Sequence, residues 1–186
     1  MSEEESEKIL EFVKKAQKGD QNAFACLYDI FSKRIYSYII SKTSNPDRAD
    51  DILQDVFIKA WKGIPTLELK GLNFNAWLYR VCSNTINDYF RKQYRTPQTF
   101  SLDPEIDIGG PDTTARSASN IDHEILLEHL SEMPPDYQEI IELRFVQELS
   151  IKEIAVVMNR SSVAVRVLQH RAITKLKEIS NKLEID

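Results

Sequence analysis

The chain has 186 residues and a formal net charge of −5, with 42% of its residues hydrophobic and 28% charged. These proportions are typical of a folded protein with one large domain or two small ones, and they exclude a disordered tail. No stretch approaches the roughly 20 consecutive apolar residues that cross a bilayer, and residues 1–10 are acidic without a signal-peptide core, so we expect a cytoplasmic protein without membrane insertion.

The first part of the chain, residues 7–95, shows four successive blocks with the hydrophobic period of an α-helix. Gly19 and Asp20 separate the first two blocks. The whole chain contains only five glycines, and no segment requires a strand. The sequence therefore predicts an all-α fold, with residues 7–95 as the first of two small helical domains.

The third block has a clear beginning, a clear end and an apolar stripe. Asn45 and Pro46 stand where a helix takes its N-cap and first-turn residues, and Gly63 and Pro65 would end it. Seven apolar residues then recur at the spacing of one helix face and predict a core stripe: Ala49, Ile52, Leu53, Val56, Phe57, Ala60 and Trp61.

The opposite face of this helix combines carboxylates, an amide and an apolar side chain: Asp51, Gln54, Asp55, Ile58 and Lys62. A solvated face is one interpretation and a partner surface is the other, which the outward isoleucine favours. Paired carboxylates also serve in acid–base catalysis and in metal sites. No histidine or second carboxylate cluster accompanies them, so we expect no catalytic site, no metal and no cofactor.

The fourth block also has two faces. Its probable core face comprises Phe74, Trp77, Leu78, Val81 and Cys82, and a polar and basic ridge comprises Arg80, Asn84, Asn87, Arg91 and Arg95. Further aromatic residues, Tyr79, Tyr89 and Tyr94, are interleaved with the ridge. Aromatic rings between arginines are typical of surfaces that bind single-stranded nucleic acid, although aromatic residues at helical spacing are usually packing residues. Both interpretations stay open at this point.

Residues 96–120 interrupt the helical pattern with prolines and glycines among serine, threonine and aspartate residues. This composition predicts a flexible linker. A flexible coil of this length has a root-mean-square reach of roughly 25 to 30 Å. The linker would let two modules engage separated sites.

The second domain, residues 121–186, is predicted to contain helices over 121–132 and 137–147, followed by a helix-turn-helix. Ser150 and Glu153 form an S-x-x-E capping box at the start of its first helix. Asn159 stands where a helix end requires a residue that enters the left-handed region, and Ser161 or Ser162 can cap the next helix.

The second helix of this motif has an apolar face formed by Val165, Leu168 and Ala172, with Val163 and Ile173 near its margins. The remaining surface carries Arg166, Gln169, His170, Arg171 and Thr174. Residues 160–177 include five basic side chains and no acidic one, which indicates contact with DNA phosphates. Because the whole chain is acidic, we expect weak DNA binding without a partner.

Four segments in order around the linker resemble the extracytoplasmic-function (ECF) class of the sigma-70 family. GDQNAFACLYDIFSKRIYSYI, ADDILQDVFIKAW and NAWLYRVCSNTINDYFR are similar to successive parts of region 2, and the segment from MPPDYQEIIELRF to QHRAITKL is similar to region 4. The resemblance implies a non-enzymatic factor that binds core RNA polymerase and recognises and melts promoter DNA. An anti-sigma factor is a further implied partner.

The resemblance also implies roles for individual residues. Asp51, Gln54 and Asp55, with Ile58 beside them, would dock on the clamp helices of the largest polymerase subunit. The unpaired minus-ten strand would be held by residues 67–73 and by Trp77, Arg80, Asn84, Asn87, Asp88 and Arg91. The minus-thirty-five duplex would be contacted by Ser162, Ala164, Val165, Arg166, Gln169, His170 and Arg171.

The chain departs from the family pattern at Val163, where glycine is usual, and at Ile173 and Thr174, which replace a more basic run. Two rival functions are a helix-turn-helix regulator that binds duplex DNA without polymerase, and an adaptor or enzyme that uses the motif only as scaffold. The acidic patch and the aromatic ridge disfavour the first rival, since it needs neither. The acid-free basic helix and the lack of a catalytic set disfavour the second.

Overall fold

The computed structural model describes residues 3–68, 74–95 and 133–183, which belong to two compact units. The first unit contains α1 (Glu3–Ala16), α2 (Gln21–Thr43), α3 (Pro46–Gly63) with a 3₁₀ turn at Ile64–Thr66, and α4 (Phe74–Arg95). The second contains α5 (Pro135–Ile141), a π-helical turn at Glu142–Val146, α6 (Ile151–Val157) and α7 (Ser162–Leu183). These ranges contain no strand, which confirms the predicted all-α class. The expected linker and the expected helix over 121–132 lie outside them.

The break between α1 and α2 follows from two adjacent residues. Gly19 has a φ of 90°, a backbone conformation that glycine adopts without the steric cost of a Cβ atom. The Asp20 carboxylate then accepts hydrogen bonds from the backbone N–H groups of Asn22, at 2.9 Å, and Ala23, at 3.1 Å. This is a side-chain N-cap, so α2 begins where the sequence predicts it.

Helix α3 also begins and ends as predicted. The Asn45 side-chain oxygen accepts a hydrogen bond from the Arg48 N–H at 3.0 Å, and Pro46 occupies the first turn. The predicted core stripe faces inward: Ala49, Ile52, Val56, Phe57 and Ala60 are buried, while Leu53 and Trp61 are half-buried. Burial of this stripe leaves the opposite face of α3 to solvent.

Aromatic pairs fill the core of the first unit where α2 packs on α4. The ring centroids of Phe31 and Phe74 lie 5.4 Å apart, and those of Tyr38 and Tyr79 lie 5.5 Å apart in an edge-to-face arrangement. Such pairs contribute roughly 0.5 to 1.5 kcal/mol beyond their area burial. They fix which face of α4 points inward.

Helix α1 is tied to the segment that follows α3. The side-chain amide of Gln17 donates to the carbonyl oxygen of Ile64 at 3.2 Å and to that of Leu67 at 2.8 Å. Two carbonyl groups beyond the α3 helix therefore have a partner in the turn that follows α1. The start of the 67–73 segment is held in this way, and residues 69–73 lie outside the described ranges.

In the second unit, the helix predicted over 137–147 begins two residues earlier and ends in a π-helical turn. The Gln147 N–H donates to the Glu142 carbonyl at 3.0 Å, which is the i to i+5 bond of a π-helix. Glu148 follows with a φ of 56°, and the Leu149 N–H donates to the Leu143 carbonyl at 2.9 Å. This wider turn closes the helix before the helix-turn-helix begins.

The helix-turn-helix has the local chemistry that the sequence predicts. The Ser150 N–H donates to the Glu153 carboxylate at 2.7 Å, and the Glu153 N–H donates to the Ser150 hydroxyl oxygen at 3.3 Å. Asn159 has a φ of 51°. Of the two candidate serines, Ser161 is the cap, because its hydroxyl oxygen accepts from the Ala164 N–H at 3.1 Å.

The motif is fixed on α5 by a core and by an ion pair. Arg160, in the turn before α7, pairs with Asp136 in the first turn of α5. The core beneath the motif contains Ile140, Leu143, Ile154, Val165, Leu168 and Ala172, all buried. Burial of Val165, Leu168 and Ala172 determines which face of α7 remains accessible.

Candidate nucleic-acid and partner interfaces

A first candidate interface is the outer face of α3, which we call the docking patch: Asp51, Gln54, Asp55 and Ile58. All four side chains are exposed, and Ile58 exposes 50% of its surface. The helix places them opposite the buried stripe, so one short surface combines two carboxylates, an amide and an apolar side chain. A single exposed isoleucine is common on protein surfaces, so the distinctive feature of this face is its combination with two carboxylates on one helix.

The carboxylates of the docking patch have no internal role. Neither Asp51 nor Asp55 forms an ion pair with another residue of the described ranges. Because both are exposed and unpaired, their charges contribute little to the fold and are available to a cationic partner. Lys62, on the same face one turn beyond Ile58, is also exposed.

A second candidate interface is a ridge along α4, which we call the strand ridge: Arg80, Asn84, Asn87, Asp88 and Arg91. The arginines and asparagines are exposed, and Asp88 is half-exposed. Arg95 continues the line at the helix end, but its side chain lies outside the described residues. The ridge thus presents amide donors and acceptors between two guanidinium groups, a combination that suits bases and phosphates.

Asp88 is held by cations from two helices. Its carboxylate lies 3.5 Å from the Lys59 ammonium on α3 and 3.7 Å from the Arg91 guanidinium on α4. Lys59 also donates to the Thr85 hydroxyl at 3.2 Å. Sequence reasoning missed Lys59, because its contact with the ridge depends on the packing of α3 against α4. Lys59 therefore sits beside the docking patch in sequence and beside the strand ridge in space.

Trp77 lies at the edge of the first unit's core. It is half-buried, its ring centroid lies 5.5 Å from that of Phe74, and its Cζ2 atom would lie 3.2 Å from a Cβ placed on Gly63. The end of α3 thus packs closely against the indole. Part of the Trp77 side chain is accessible, whereas Tyr79 is fully buried and is a core residue.

The third candidate interface is the outer surface of α7. The structure exposes Ala164, Arg166, His170 and Arg171, and half-exposes Ser162 and Gln169. The assignment of Val165 to a DNA contact is wrong for its side chain, because that side chain is fully buried between α7 and the rest of the unit. Its burial determines which face of α7 is turned outward.

The structure also corrects the expected position of Val163. The sequence pattern places Val163 near the margin of the core face, but 71% of its surface is exposed. Val167 was not identified as a surface residue, and it exposes 45%. Hydrophobicity alone does not separate these valines from Val165, whereas the 3.6-residue period counted from buried Val165 and Leu168 would have found them.

No helix within the described ranges is both long and apolar enough to span a bilayer. Among the side chains that the structure describes, no group of three or more histidine, cysteine, aspartate or glutamate residues is placed to hold a metal ion.

Models of two protein families match the two units. A model described as Sigma-70 region 2 matches residues 27–96, which include the docking patch and the strand ridge. A model described as Sigma-70, region 4 matches residues 123–176, which include the whole helix-turn-helix.

Whole proteins and solved structures agree with these matches. The ECF RNA polymerase sigma factor BldN of Streptomyces coelicolor is 32% identical over 182 residues, which cover 96% of this chain and 68% of the relative. The ECF RNA polymerase sigma factor SigW of Bacillus subtilis is 28% identical over 179 residues, covering 89% and 93%. The co-crystal structure of the sigma factor RpoE with the anti-sigma factor NepR from Bartonella quintana has a similar fold, with a TM-score of 0.64 and 22% identity over 85% of this chain and 96% of that chain.

Proposed function

Because this chain belongs to the ECF class of RNA polymerase sigma factors in the sigma-70 family, we propose that its three exposed surfaces carry three separate steps of initiation. The protein directs transcription initiation with RNA polymerase and is not itself an enzyme. The proposed steps are polymerase docking on α3, capture of an unpaired strand on α4 and recognition of duplex DNA by α7. In a bacterial cell these steps take place in the cytoplasm.

The observation that carries this proposal is the separation of charge between the surfaces. The docking patch presents unpaired carboxylates, whereas residues 160–177 contain no acidic residue. A carboxylate surface repels DNA and a basic surface attracts it. The charges alone therefore favour one surface that binds a protein and a different surface that binds DNA.

For the docking patch we propose the clamp helices of the largest polymerase subunit as partner. Asp51 and Asp55 would pair with cations of the clamp helices, Gln54 would hydrogen bond, and Ile58 would bury its exposed apolar surface. Removal of a fully exposed apolar side chain from water contributes about 1.5 to 3 kcal/mol, and since Ile58 exposes 50% of its surface, its burial would contribute about half of that. Burial of Ile58 would therefore strengthen binding, and the ion pairs of the carboxylates would fix the orientation of the partner.

For the strand ridge we propose the unpaired non-template strand of the minus-ten element. Asn84 and Asn87 would hydrogen bond to exposed base edges, Arg80 and Arg91 would follow the backbone, and the half-buried indole of Trp77 would stack on a base with its accessible surface. Base-to-aromatic stacking is worth about 1 to 3 kcal/mol per base and requires an unstacked strand. Such a surface stabilises melted DNA relative to duplex, because it uses groups that pairing conceals.

For α7 we propose the major groove of the minus-thirty-five element. Arg166, Gln169, His170 and Arg171 would contact base edges or phosphates, with Ser162 and Ala164 at the helix start close to the backbone. Val165 is retained only as the buried residue that sets the helix orientation.

We further propose a domain division that follows these surfaces: residues 7–95 for polymerase and strand, 96–120 as a linker, and 121–186 for duplex recognition. The solved relative RpoE is bound to the anti-sigma factor NepR, and we extend this type of partner to our protein. An anti-sigma factor would act by covering the docking patch or α7.

Run-off transcription with purified core polymerase and genomic fragments tests the proposal. We expect discrete transcripts only when both the chain and core polymerase are present. A helix-turn-helix regulator without polymerase function would instead bind discrete duplex sites and give no new start sites. The Asp51→Lys/Asp55→Lys protein is the control, because it should retain its fold and lose all transcripts.

A further inference from the structure

The accessible face of α7 has an apolar centre. Four of its residues are spaced four, three and four positions apart and so lie along one line of the helix. This line, the outer stripe, consists of Val163, Val167, His170 and Thr174. It lies opposite the buried face and contains two of the most exposed large apolar side chains of the described residues.

Two arginines flank the outer stripe. Arg166 lies on one side of the line and Arg171 on the other, and both are exposed. Any ligand that approaches α7 along its outer face meets valine side chains first and guanidinium groups at the margins. Exposed valines inside an acid-free run suit a polyanion that also presents apolar groups.

We propose that Val163 and Val167 recognise thymine by packing against its C5-methyl group in the major groove. This inference rests on the proposed entry of α7 into the groove. The thymine methyl is the apolar group that a base pair displays there, and it separates thymine from the other bases. The position also fits, because residues in the first turns of a recognition helix contact base edges, and Val163 is the second residue of α7.

The occupant of the outer stripe is therefore duplex DNA with thymine at one or two positions of the minus-thirty-five element. A protein partner would be the alternative for exposed valines. The basic residues that flank the stripe favour DNA, since Arg166 and Arg171 can reach phosphates or guanine edges while the valines touch methyl groups. A protein occupant would show no dependence on the thymine methyl.

The test uses holoenzyme assembled from core polymerase and the full chain. A pool of promoter duplexes with a randomised minus-thirty-five element is selected for binding, and base preferences are compared among wild-type protein, Val163→Ala, Val167→Ala and the double variant. Deoxyuridine then replaces each preferred thymine in turn, which removes only the methyl group. Val146→Ala is the matched control, because Val146 is an exposed valine of the same unit outside α7.

We expect wild-type holoenzyme to bind about fourfold more weakly when deoxyuridine replaces a contacted thymine, the effect of one apolar carbon losing its contact. The double variant should show a smaller difference between thymine and deoxyuridine at that position, because the shorter alanine side chain loses most of the contact with the methyl group. Val146→Ala should behave as wild type. Because Val163 and Val167 are exposed and alanine favours helices, the variants should remain folded.

Two results would overturn the inference while leaving groove entry intact: no deoxyuridine effect in wild-type holoenzyme, or an effect that is just as large in the double variant. Failure of the underlying proposal has a different signature. In that case Arg166→Ala and Arg171→Ala would also leave binding to every sequence unchanged.

Discussion

The Lys59 ammonium on α3 lies 3.5 Å from the Asp88 carboxylate on α4, which joins the helix of the docking patch to the helix of the strand ridge. A lone carboxylate on a surface that binds phosphates would repel its ligand. Lys59 and Arg91 together balance that charge. The ridge can therefore include Asp88 without an electrostatic penalty.

The first prediction concerns this pair. Lys59→Ala should weaken binding of a single-stranded minus-ten oligonucleotide by holoenzyme up to about fivefold, the range of a partly exposed ion pair. Lys59→Arg should bind as wild type. Asp88→Asn in the Lys59→Ala background should restore much of the loss, because it removes the uncompensated charge. Fluorescence anisotropy measures each affinity, and a double variant no better than Lys59→Ala would contradict the charge-balance role.

The second prediction tests the docking patch. Reversal of Asp51 and Asp55 to lysine should abolish co-purification with core polymerase, because two attractive contacts become repulsive. Circular dichroism should be unchanged, since both side chains are exposed and neither pairs with another described residue. Asp29→Lys, a reversal on the exposed face of α2, is the control and should co-purify normally. Retention of polymerase by the double reversal would place the docking site elsewhere.

The third prediction follows from the net charge of −5. The free chain should bind promoter duplex poorly, and the holoenzyme should bind it tightly, with an affinity that falls steeply as salt increases. Anisotropy titrations of both species at several salt concentrations measure this. Tight sequence-specific binding by the isolated chain would favour a regulator that needs no polymerase.

The fourth prediction separates the two DNA surfaces. Arg166→Ala and Arg171→Ala should each cost about 1 to 3 kcal/mol of duplex binding if the contact is to a base edge, with lost discrimination at that position. A phosphate contact would instead weaken all sequences alike. Asn84→Ala and Arg91→Ala should leave duplex binding intact and impair opening, detected as reduced permanganate reactivity of minus-ten thymines. Normal opening by these variants would remove the strand-capture role from α4.

The fifth prediction concerns the contact between Gly63 and Trp77. Gly63→Ala should displace the indole, because the new Cβ would lie 3.2 Å from Trp77 Cζ2. Gly63 is the last residue of α3, so the gain in helix propensity is below the roughly 1 kcal/mol of a helix interior. The contact with Trp77 opposes this gain, so the melting temperature falls only if the indole cannot shift by a few tenths of an ångström. Promoter opening should decrease and tryptophan emission should shift. An unchanged emission spectrum would show that the indole does not move.

Sequence reasoning succeeded where structure is determined locally. The break at Gly19 and Asp20, the Asn45 cap, the Ser150–Glu153 capping box and the left-handed Asn159 each depend on a few adjacent residues, and all were predictable from the sequence. The core stripe of α3 was predictable for the same reason, since its period is regular over several turns.

Features that depend on tertiary packing were not predictable in this way. Lys59 and Asp88 meet only because α3 packs on α4, and the burial of Tyr79 depends on its contact with Tyr38 on α2. The π-helical turn after α5 contains one residue more than an α-helical turn. The spacing of apolar residues in the sequence does not reveal this extra residue. Val163 and Val165 have the same side chain, so their opposite environments follow from the helix phase and not from their chemistry.

The ion pair between Arg160 and Asp136 limits how many bound counterions the basic run of residues 160–177 can displace from DNA. A guanidinium already matched by a carboxylate displaces no additional cation from the phosphate chain. Lys175 is matched in the same way, because its ammonium lies 3.4 Å from the Glu178 carboxylate. Three basic residues of the run then remain, namely Arg166, Arg171 and Lys177. Contact of these three with phosphates would give a slope of log affinity against log salt of about −2.7, at roughly −0.9 per phosphate. Asp136→Asn would release Arg160 and steepen that slope, so a carboxylate on α5 sets how strongly DNA binding by the neighbouring basic run depends on salt.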